Sequence, residues 1–416
     1  YDIGTYKSVE FDINVISVGN LAVGGTGKSP MVEFIVKLLK KNNHSPATLS
    51  RGYKRKTRGF RLASDKDNAT TLGDEPFQFW LKFNKEVPVA VGEERVMAIP
   101  EILFEHEDCD VVVCDDAYQH RTLRPNLNIL LSTYNRPFFN DHMMPYGRLR
   151  EVRNGASRAD ILVFTKCEEL VGSNETYIEK ARKYIKVGVP VFFTKTKYKA
   201  PIAIFNNGLE FVNKVILVSG LADSTNLVEY AEKKYDLVKY LEYGDHHHFS
   251  KSDIENLITI FDQFQNDGFV SILTTEKDAT KIREFKELSD MPVFYLPIEI
   301  EFLDEGDKFE QLIAESFVSI SAFSQIIDDS TKLVYGAHST AFTLESLIRE
   351  NDTSYYHVDT TLNQLENFEV IKKAPIYYQD LGVNGTAMNP VFYSVPRTIG
   401  RTSGFSAYDP YMLNPE

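Results

Sequence analysis

A glycine-rich segment at residues 20–30 carries the residue types that bind phosphate. It reads NLAVGGTGKSP and ends on Lys28, Ser29 and a proline. Glycines adopt positive φ angles without steric cost, so backbone N–H groups can close around phosphate oxygens. A lysine in this place contacts the β- and γ-phosphates, and the hydroxyl after it reaches Mg²⁺. The segment predicts a phosphate-binding loop made of Ala22, Val23, Gly24, Gly25, Thr26, Gly27, Lys28 and Ser29.

The strict form of this motif, G-x-x-x-x-G-K-[ST], places glycine where this chain has Ala22. The alternative is a glycine-rich turn between a strand and a helix that binds no ligand. The surrounding pattern favours the loop, because an apolar, β-branched run at residues 13–18 precedes it and apolar residues at helical spacing follow over 29–41. A strand, loop and helix in this order also bring the positive end of the helix dipole to the phosphate.

Two acidic pairs are candidate partners of this loop. The run DVVVCDD at 110–116 is a continuously apolar strand that ends on Asp115 and Asp116. Carboxylates at the end of such a strand bind Mg²⁺ beside a phosphate loop, although paired acids are also common in turns. The second pair, Asp74 and Glu75, opens an apolar helical stretch, where helix capping by Asp74 alone would explain an acid.

Basic residues and histidines form two further candidate groups. The segment SRGYKRKTRGF at 50–60 concentrates positive charge in an acidic chain, either as a solvated loop or as a contact for an anionic substrate. Three consecutive histidines stand at 246–248. They cannot all face one metal from a turn, and no cysteine or carboxylate stands at ligand spacing. A single catalytic or structural histidine is therefore favoured over a zinc site.

The composition sets limits on the class of protein. A length of 416 residues predicts two or three domains, and a net charge of −13 argues against nucleic-acid binding. The three cysteines form no metal-spaced set, which favours a reducing compartment. No apolar run approaches a membrane span, and no obligate protein partner is evident. The chain begins with tyrosine, so we expect that an N-terminal piece is missing.

Strands and helices alternate over residues 1–195, which predicts an α/β fold with a doubly wound, mainly parallel sheet of the P-loop NTPase type. Residues 196–316 are predicted to form a second, smaller α/β domain. In that domain, KYKAPIAIF and LEFV are predicted to pair as an antiparallel hairpin. The segment PVFYLPIEIEF is predicted to be one final strand.

Seven motifs in order make residues 1–315 resemble the tetraacyldisaccharide 4'-kinases, the lipid A 4'-kinases of Gram-negative bacteria. The motifs are GNLAVGGTGKSP, SRGYKRK, GDEP, DDAYQHR, GRLRE, DHHHF and TTEKDATK. The resemblance implies two α/β/α domains with the active site between them, and ATP-dependent phosphorylation of the 4'-hydroxyl of a tetraacyldisaccharide 1-phosphate. It also implies Mg²⁺ and a peripheral place on the cytoplasmic face of the inner membrane. The family has an N-terminal hydrophobic helix, and we expect that this helix belongs to the missing N-terminal piece.

The resemblance assigns roles to particular residues. It implies that Asp74 is the general base for the sugar hydroxyl, with His246 as its hydrogen-bonded partner from the other domain. It implies that Ser29, Glu75 and Asp115 surround Mg²⁺. The residues that it places on the phosphate or lipid-sugar side are Arg51, Tyr53, Arg95, His120 and Arg150, and Asp116 serves either the metal or the substrate. Arg150 is preferred over Arg148 because it stands in the LRE part of its motif.

Residues 317–416 follow a different pattern. FVSISAFSQ resembles the end of a secretory signal peptide, and the aromatic, turn-rich sequence after it resembles the N-terminal segment of an outer-membrane porin of the Bacteroidota. We expect this segment to be poorly structured or β-rich, and a fused or misjoined reading frame explains it better than a bifunctional protein. Two other function classes stay open for the whole chain: a deviant P-loop ATPase or GTPase switch with a protein partner, and a nucleotide-binding scaffold without turnover.

Overall fold

The computed structural model describes residues 8–167, 174–245, 247–265, 268–326 and 377–379. The described chain divides into two compact units, of which the larger contains Ile16–Gln119 and Leu127–Glu310. In the smaller unit, the Val9 N–H donates to the Thr122 carbonyl at 2.6 Å and the Arg124 N–H donates to the Val9 carbonyl at 2.8 Å. The backbone of FVSISAFSQ is helical, and most of the predicted porin-like segment after it lies outside the described residues. Within the described ranges, no helix is both long enough and apolar enough to cross a bilayer.

The elements alternate along the chain as the sequence predicts. The strands are β1 (Val9–Phe11), β2 (Asn14–Asn20), β3 (Pro46–Ser50), β4 (Arg61–Leu62), β5 (Val89–Val91), β6 (Val111–Asp115), β7 (Leu127–Thr133), β8 (Ile161–Thr165), β9 (Val191–Tyr198), β10 (Ile202–Ala203), β11 (Lys214–Ser219), β12 (Asp236–Glu242), β13 (Ser271–Thr275), β14 (Val293–Leu296), β15 (Ile298–Phe302) and β16 (Tyr377–Gln379). The helices are α1 (Lys28–Lys41), α2 (Ala69–Leu72), α3 (Asp74–Lys82), α4 (Arg95–Glu105), α5 (Asn174–Ala181), α6 (Thr225–Lys234), α7 (Lys251–Gln265), α8 (Glu276–Ile282) and α9 (Gly306–Ile326).

A nine-stranded sheet contains β2 to β9 from the first half of the chain together with β15, in the order β15-β9-β8-β7-β2-β6-β3-β5-β4. Its centre is parallel, and its two outermost strands, β4 and β15, run antiparallel to their neighbours. Strands β2, β3, β6 and β8 are buried along their whole length, as parallel strands covered on both faces must be. The prediction of a mainly parallel α/β sheet is confirmed.

A second, five-stranded sheet has the order β10-β14-β13-β11-β12, and it is parallel except for β10. Alternate residues of β11 point to opposite faces, and both sets are buried. Ile216 and Val218 pack with Leu257 of α7, while Val215 and Leu217 pack with side chains of α6. This sheet therefore has helices on both faces, as a smaller α/β unit requires.

Two predictions about the second half of the chain are wrong. KYKAPIAIF does not form a hairpin with LEFV: β9 lies between β8 and β15 in the large sheet, and β10 pairs with β14 in the small one. The segment PVFYLPIEIEF is two strands in two sheets, divided at Pro297. Proline has no N–H to give to a strand ladder, so the chain leaves the small sheet there and enters the large one.

An ionic cluster joins three helices of the larger unit. Lys82 of α3 binds Glu33 of α1 at 2.5 Å and Glu276 of α8 at 2.7 Å. Gln78 also donates to Glu33, and the backbone N–H of Ile298 donates to Glu276. Burial raises the pKa of Glu33 from its ordinary value of 4.5 to about 7; Lys82 limits this rise and Glu276 adds to it. The helix after the phosphate loop is thereby fixed to α3 and α8.

This cluster predicts a pH-dependent stability that depends on Glu33. Between pH 4.5 and about 7 the folded chain binds more protons at Glu33 than the unfolded chain, so ionisation of Glu33 lowers stability as the pH rises through that window. A Glu33→Gln variant cannot ionise there. The thermal midpoint of the variant minus that of the parent should therefore increase as the pH rises from about 5 to about 7.5. Thermal unfolding across this range tests the prediction. Glu101→Gln, at an exposed position, should show a constant offset, and a constant offset for Glu33→Gln would contradict it.

Candidate active site

The carboxyl ends of β2, β3, β6 and β8 lie at one edge of the large sheet, because these strands run parallel. Residues 21–27 connect β2 to α1 at this edge, with β6 on one side and β7 on the other. Ligands of open α/β sheets bind at this edge, where the connections from neighbouring strands separate. The predicted phosphate loop therefore stands where the fold leaves room for a ligand.

The loop has the conformation that its glycines permit. Gly24 and Gly27 have φ angles of 103° and 81°, and Gly27 is the N-cap of α1. Two buried side chains fix the loop from below. Asn20 donates to the Thr26 hydroxyl at 2.5 Å, and the Thr165 hydroxyl donates to the Thr26 carbonyl at 2.8 Å. The free N–H groups at the start of α1 face the space above the loop, which suits an anion.

Asp115 ends β6 in a fully buried position. Burial raises its pKa to about 8, and Glu75 and Asp116 add to the rise, while Lys28 and Arg95 oppose it. Among the described residues, its Oδ1 atom has no hydrogen-bond partner. A buried carboxylate oxygen without a partner is costly unless something absent from the chain satisfies it.

This arrangement fits a magnesium ion that is shared with a phosphate ligand. In the part of the chain that the structure describes, no three His, Cys, Asp or Glu side chains are close enough to hold a metal by themselves. Mg²⁺ characteristically takes one or two carboxylates and completes its shell with phosphate oxygens and water. Asp115 with Glu75 beside it, and Ser29 in the first turn of α1, supply donors of this kind.

Asp116 is the centre of a charge network above β6. Lys28 Nζ lies 3.6 Å from its Oδ1 atom, and Arg150 Nη1 donates to both of its oxygens at 3.0 and 3.1 Å. Burial acts to raise the pKa of Asp116, but the two cations outweigh it and the pKa is lowered. Lys28 is consequently folded back on Asp116, with a side chain only 12% exposed. A phosphate that enters the loop competes with Asp116 for Lys28.

Asp74 is placed by the start of α3, where Gly73 has a φ angle of 97° and occupies the N-cap. Asp74 is therefore the first helical residue and not the cap. Its Oδ2 atom binds Lys281 Nζ of α8 at 2.7 Å, and the two side chains are 8% and 6% exposed. The same ammonium donates to the His247 carbonyl at 3.1 Å. His246, the predicted partner of Asp74, lies outside the described residues.

The remaining predicted substrate residues occupy different surroundings. Tyr53 is exposed, and its carbonyl lies 3.0 Å from the position that a Cβ atom on Gly73 would take, so the basic loop adjoins the start of α3. Arg51 is exposed. Burial lowers the pKa of Arg95, and the positive charge of Arg51 adds to this effect. Arg95 is only 2% exposed and donates to the carbonyls of Gly92 and Glu93. His120 is half-buried after β6.

Three cations near the site had no assigned role in the sequence analysis. Arg148 accepts the Val23 N–H on its carbonyl and has its guanidinium 3.1 Å from the Cβ position of Gly24. Lys166 follows β8 near Gly25, and burial lowers its pKa. Lys281 binds Asp74. The rule that ligands meet the carboxyl ends of strands would have identified Lys166. No sequence signal shows that a lysine of α8 is buried against α3.

Comparisons with known proteins agree with the motifs. A family model described as "Tetraacyldisaccharide-1-P 4'-kinase" matches residues 1–317, and one described as "Putative porin" matches residues 340–416. A tetraacyldisaccharide 4'-kinase of Flavobacterium johnsoniae is 38% identical over 319 residues, which cover 76% of this chain and 90% of that protein. One of Bacteroides thetaiotaomicron is 38% identical over 332 residues, covering 75% and 87%.

A solved structure is similar as well. The crystal structure of LpxK from Aquifex aeolicus in complex with ATP superimposes with a TM-score of 0.59 at 28% sequence identity. The match covers 76% of this chain and 92% of the Aquifex chain.

The close approach of β2 to β6 predicts that Gly19 tolerates no side chain. A Cβ atom there would lie 2.5 Å from Tyr118 Cβ and 3.0 Å from the Tyr118 backbone nitrogen, so the backbone after Asp116 would have to move. Gly19→Ala should lower the free energy of unfolding by about 1–3 kcal/mol. Urea unfolding measures this loss. Gly25→Ala, whose nearest neighbour is 3.9 Å away, is the control, and equal stability of the two variants would contradict the prediction.

Proposed function

Because this chain belongs to the tetraacyldisaccharide 4'-kinase family, we propose that it transfers the γ-phosphoryl group of ATP to the 4'-hydroxyl of a tetraacyldisaccharide 1-phosphate, a lipid A precursor. The product is lipid IVA. The observation that carries the proposal is the convergence of the phosphate loop, Lys28 and the acids of β6 at one edge of the sheet. Such a set binds a nucleoside triphosphate with its metal.

On the nucleotide side, the backbone of residues 22–27 surrounds the β- and γ-phosphates, and Lys28 moves from Asp116 to the phosphate oxygens. Ser29, Glu75 and Asp115 would hold Mg²⁺ directly or through water. When bound, the ion would supply positive charge to offset the charge that develops during transfer. Asp115 Oδ1, which lacks a partner among the described residues, supports this assignment.

On the acceptor side, Asp74 accepts the proton of the sugar 4'-hydroxyl while the oxygen attacks the γ-phosphorus. A new O–P bond forms, the bond from the γ-phosphorus to the bridging oxygen breaks, and ADP leaves with that electron pair. His246 orients Asp74 from the segment after β12 and shares its charge. A carboxylate is a weak base at neutral pH, so both its position and its partner matter.

The anionic and polar parts of the lipid contact charged and aromatic side chains. The proposed set is Arg51, Tyr53, Arg95, Asp116, His120 and Arg150. Arg51 and Tyr53 have the exposure that a direct contact needs. Arg95 is nearly enclosed, and we assign it the role of balancing the acids of β6.

We propose that the chain works at the cytoplasmic face of the inner membrane. A loop beside the phosphate loop supports this location, because Leu149 bridges to both Ala22 and Met143. This loop exposes 41% of Met143, 52% of Met144 and 86% of Tyr146. Large apolar side chains held next to a polar site suit the acyl chains of a lipid or the surface of a bilayer.

The predicted division of the chain forms part of the proposal. Residues 1–195, joined by β15 of the large sheet, form the core domain that holds the nucleotide, and the rest of residues 196–316 completes the cleft. Residues 317–416 are a porin-like segment that takes no part in transfer, and the match of a porin model to residues 340–416 supports its separate origin.

Transfer of labelled phosphate from ATP to a tetraacyldisaccharide 1-phosphate tests the function. The parent chain should form the labelled lipid, and Lys28→Ala should lower kcat by about 10²–10³-fold, because one cation at the developing charge is lost. Lys41→Ala, an exposed lysine at the end of the same helix, is the matched control and should keep the parental rate. ATP hydrolysis that is indifferent to the lipid would instead favour the ATPase switch.

A double-mutant cycle tests the proposed base and its partner. Asp74→Ala and His246→Ala should each lower kcat by about 10²–10⁴-fold, the usual value of general-base assistance. The double variant should be barely slower than either single variant, because residues that act as one unit are not additive. Measured kcat values of all four proteins complete the cycle. Losses that multiply would show that the two residues act independently.

A further inference from the structure

We infer that Lys281 is a positioning residue for phosphoryl transfer, which holds the Asp74 carboxylate charged and in place and joins it to the segment that carries His246. This inference rests on the proposed function. The observation behind it is one buried ammonium with two acceptors. Lys281 Nζ binds Asp74 Oδ2 at 2.7 Å and the His247 carbonyl at 3.1 Å.

The ion pair between Asp74 and Lys281 is buried and is not a surface salt bridge. The side chains of Asp74 and Lys281 are 8% and 6% exposed, so water does little to screen the two charges. A charged group in such a place is costly unless it is paired and hydrogen-bonded. Removing the ammonium would take away a cation that lies 2.7 Å from the Asp74 carboxylate, and removing one partner of a buried ion pair is strongly unfavourable.

Other contacts prevent Lys281 from moving to a different partner. Thr275 caps α8 by accepting the Asp278 N–H, and Asp278, which is fully buried, accepts the Gly220 N–H at 2.9 Å. At the same end of α8, Glu276 binds Lys82 of α3. The helix is thus fixed to β11 and to α3, and Lys281, one and a half turns later, reaches the first residue of α3.

The second acceptor, the His247 carbonyl, connects the Lys281 ammonium to the segment after β12. His247 is itself fixed, because its Nε2 atom lies 3.0 Å from Asp253 and its ring stacks on Tyr243 at 4.6 Å between centroids. The carbonyl of His247 lies one residue from His246. Lys281 therefore sets the distance between the proposed base and the backbone that presents its partner, across the contact of α3 with α8.

The test is a mutant cycle on the full-length chain, with kcat and KM for ATP and lipid and the thermal midpoint measured for each variant. Lys281→Met should lower kcat by about 10²–10⁴-fold, like removal of the base, with KM for ATP unchanged. Lys281→Arg keeps a cation and should recover part of the rate. Lys286→Met removes an exposed lysine five residues further along the chain, and it should keep the parental kcat.

The variant Asp74→Asn with Lys281→Met separates positioning from a general loss of structure. It removes both buried charges, so it should be more stable than Lys281→Met alone, and its kcat should equal that of Asp74→Asn. If Lys281→Met does not fold, this pair and Lys281→Arg decide the question. A further drop in kcat in the double variant overturns the inference. So does a parental rate for Lys281→Met, or an equal loss in Lys286→Met.

The same measurements distinguish this inference from the proposed function. A parent chain that transfers no phosphate to lipid would remove both. Full activity of Asp74→Asn would remove the assignment of Asp74 as base, and with it any role for Lys281 through Asp74. A slow Asp74→Asn beside a fast Lys281→Met would leave the proposed function intact and overturn only the role of Lys281.

Discussion

The site depends on the repulsion between carboxylates that the fold places together at the end of β6. Asp115 and Asp116 are adjacent, and Glu75 is near enough to raise the pKa of Asp115. Their charges must be balanced inside a low-dielectric region, where repulsion between like charges is strong. Lys28 and Arg150 balance Asp116, whereas one oxygen of Asp115 has no hydrogen-bond partner in the part of the chain that the structure describes. The side chains of the protein thus balance part of the negative charge of these carboxylates. A bound cation together with its anionic ligand would balance the remainder.

Two lysines connect α1, α3 and α8 through three ion pairs. Lys82 joins Glu33 and Glu276, and Lys281 joins Asp74 to the backbone of His247. The helix that begins at the phosphate loop and the helix that begins at the proposed base therefore share a common support. Phosphoryl transfer needs its two reactants in line within fractions of an ångström, so a shared support for both sides has a direct chemical purpose.

The sequence predicts most of what depends on local pattern. The phosphate loop, the strand that ends on Asp115 and the alternation of strands and helices were all predictable, because glycine spacing and apolar runs are local signals. The partner of Asp74 in α8 was not predictable, since it depends on two segments about two hundred residues apart and on burial of a lysine. The hairpin prediction failed for a related reason: β9 has more apolar surface to bury beside β8 than a two-stranded ribbon offers.

Pro297 has a consequence for how the chain can be assembled during synthesis. The edge of β9 is covered by β15, whose residues are made about one hundred positions later, after the entire small sheet. Until then, a strand that carries Phe192 and Phe193 presents an open ladder to other chains in the cell. In sequence, the small sheet is inserted between β9 and β15, two neighbouring strands of the large sheet. It is therefore synthesised before β15 can pair with β9. A pause in synthesis within residues 199–297 would leave the edge of β9 unpaired, and an unpaired strand edge favours association with other chains.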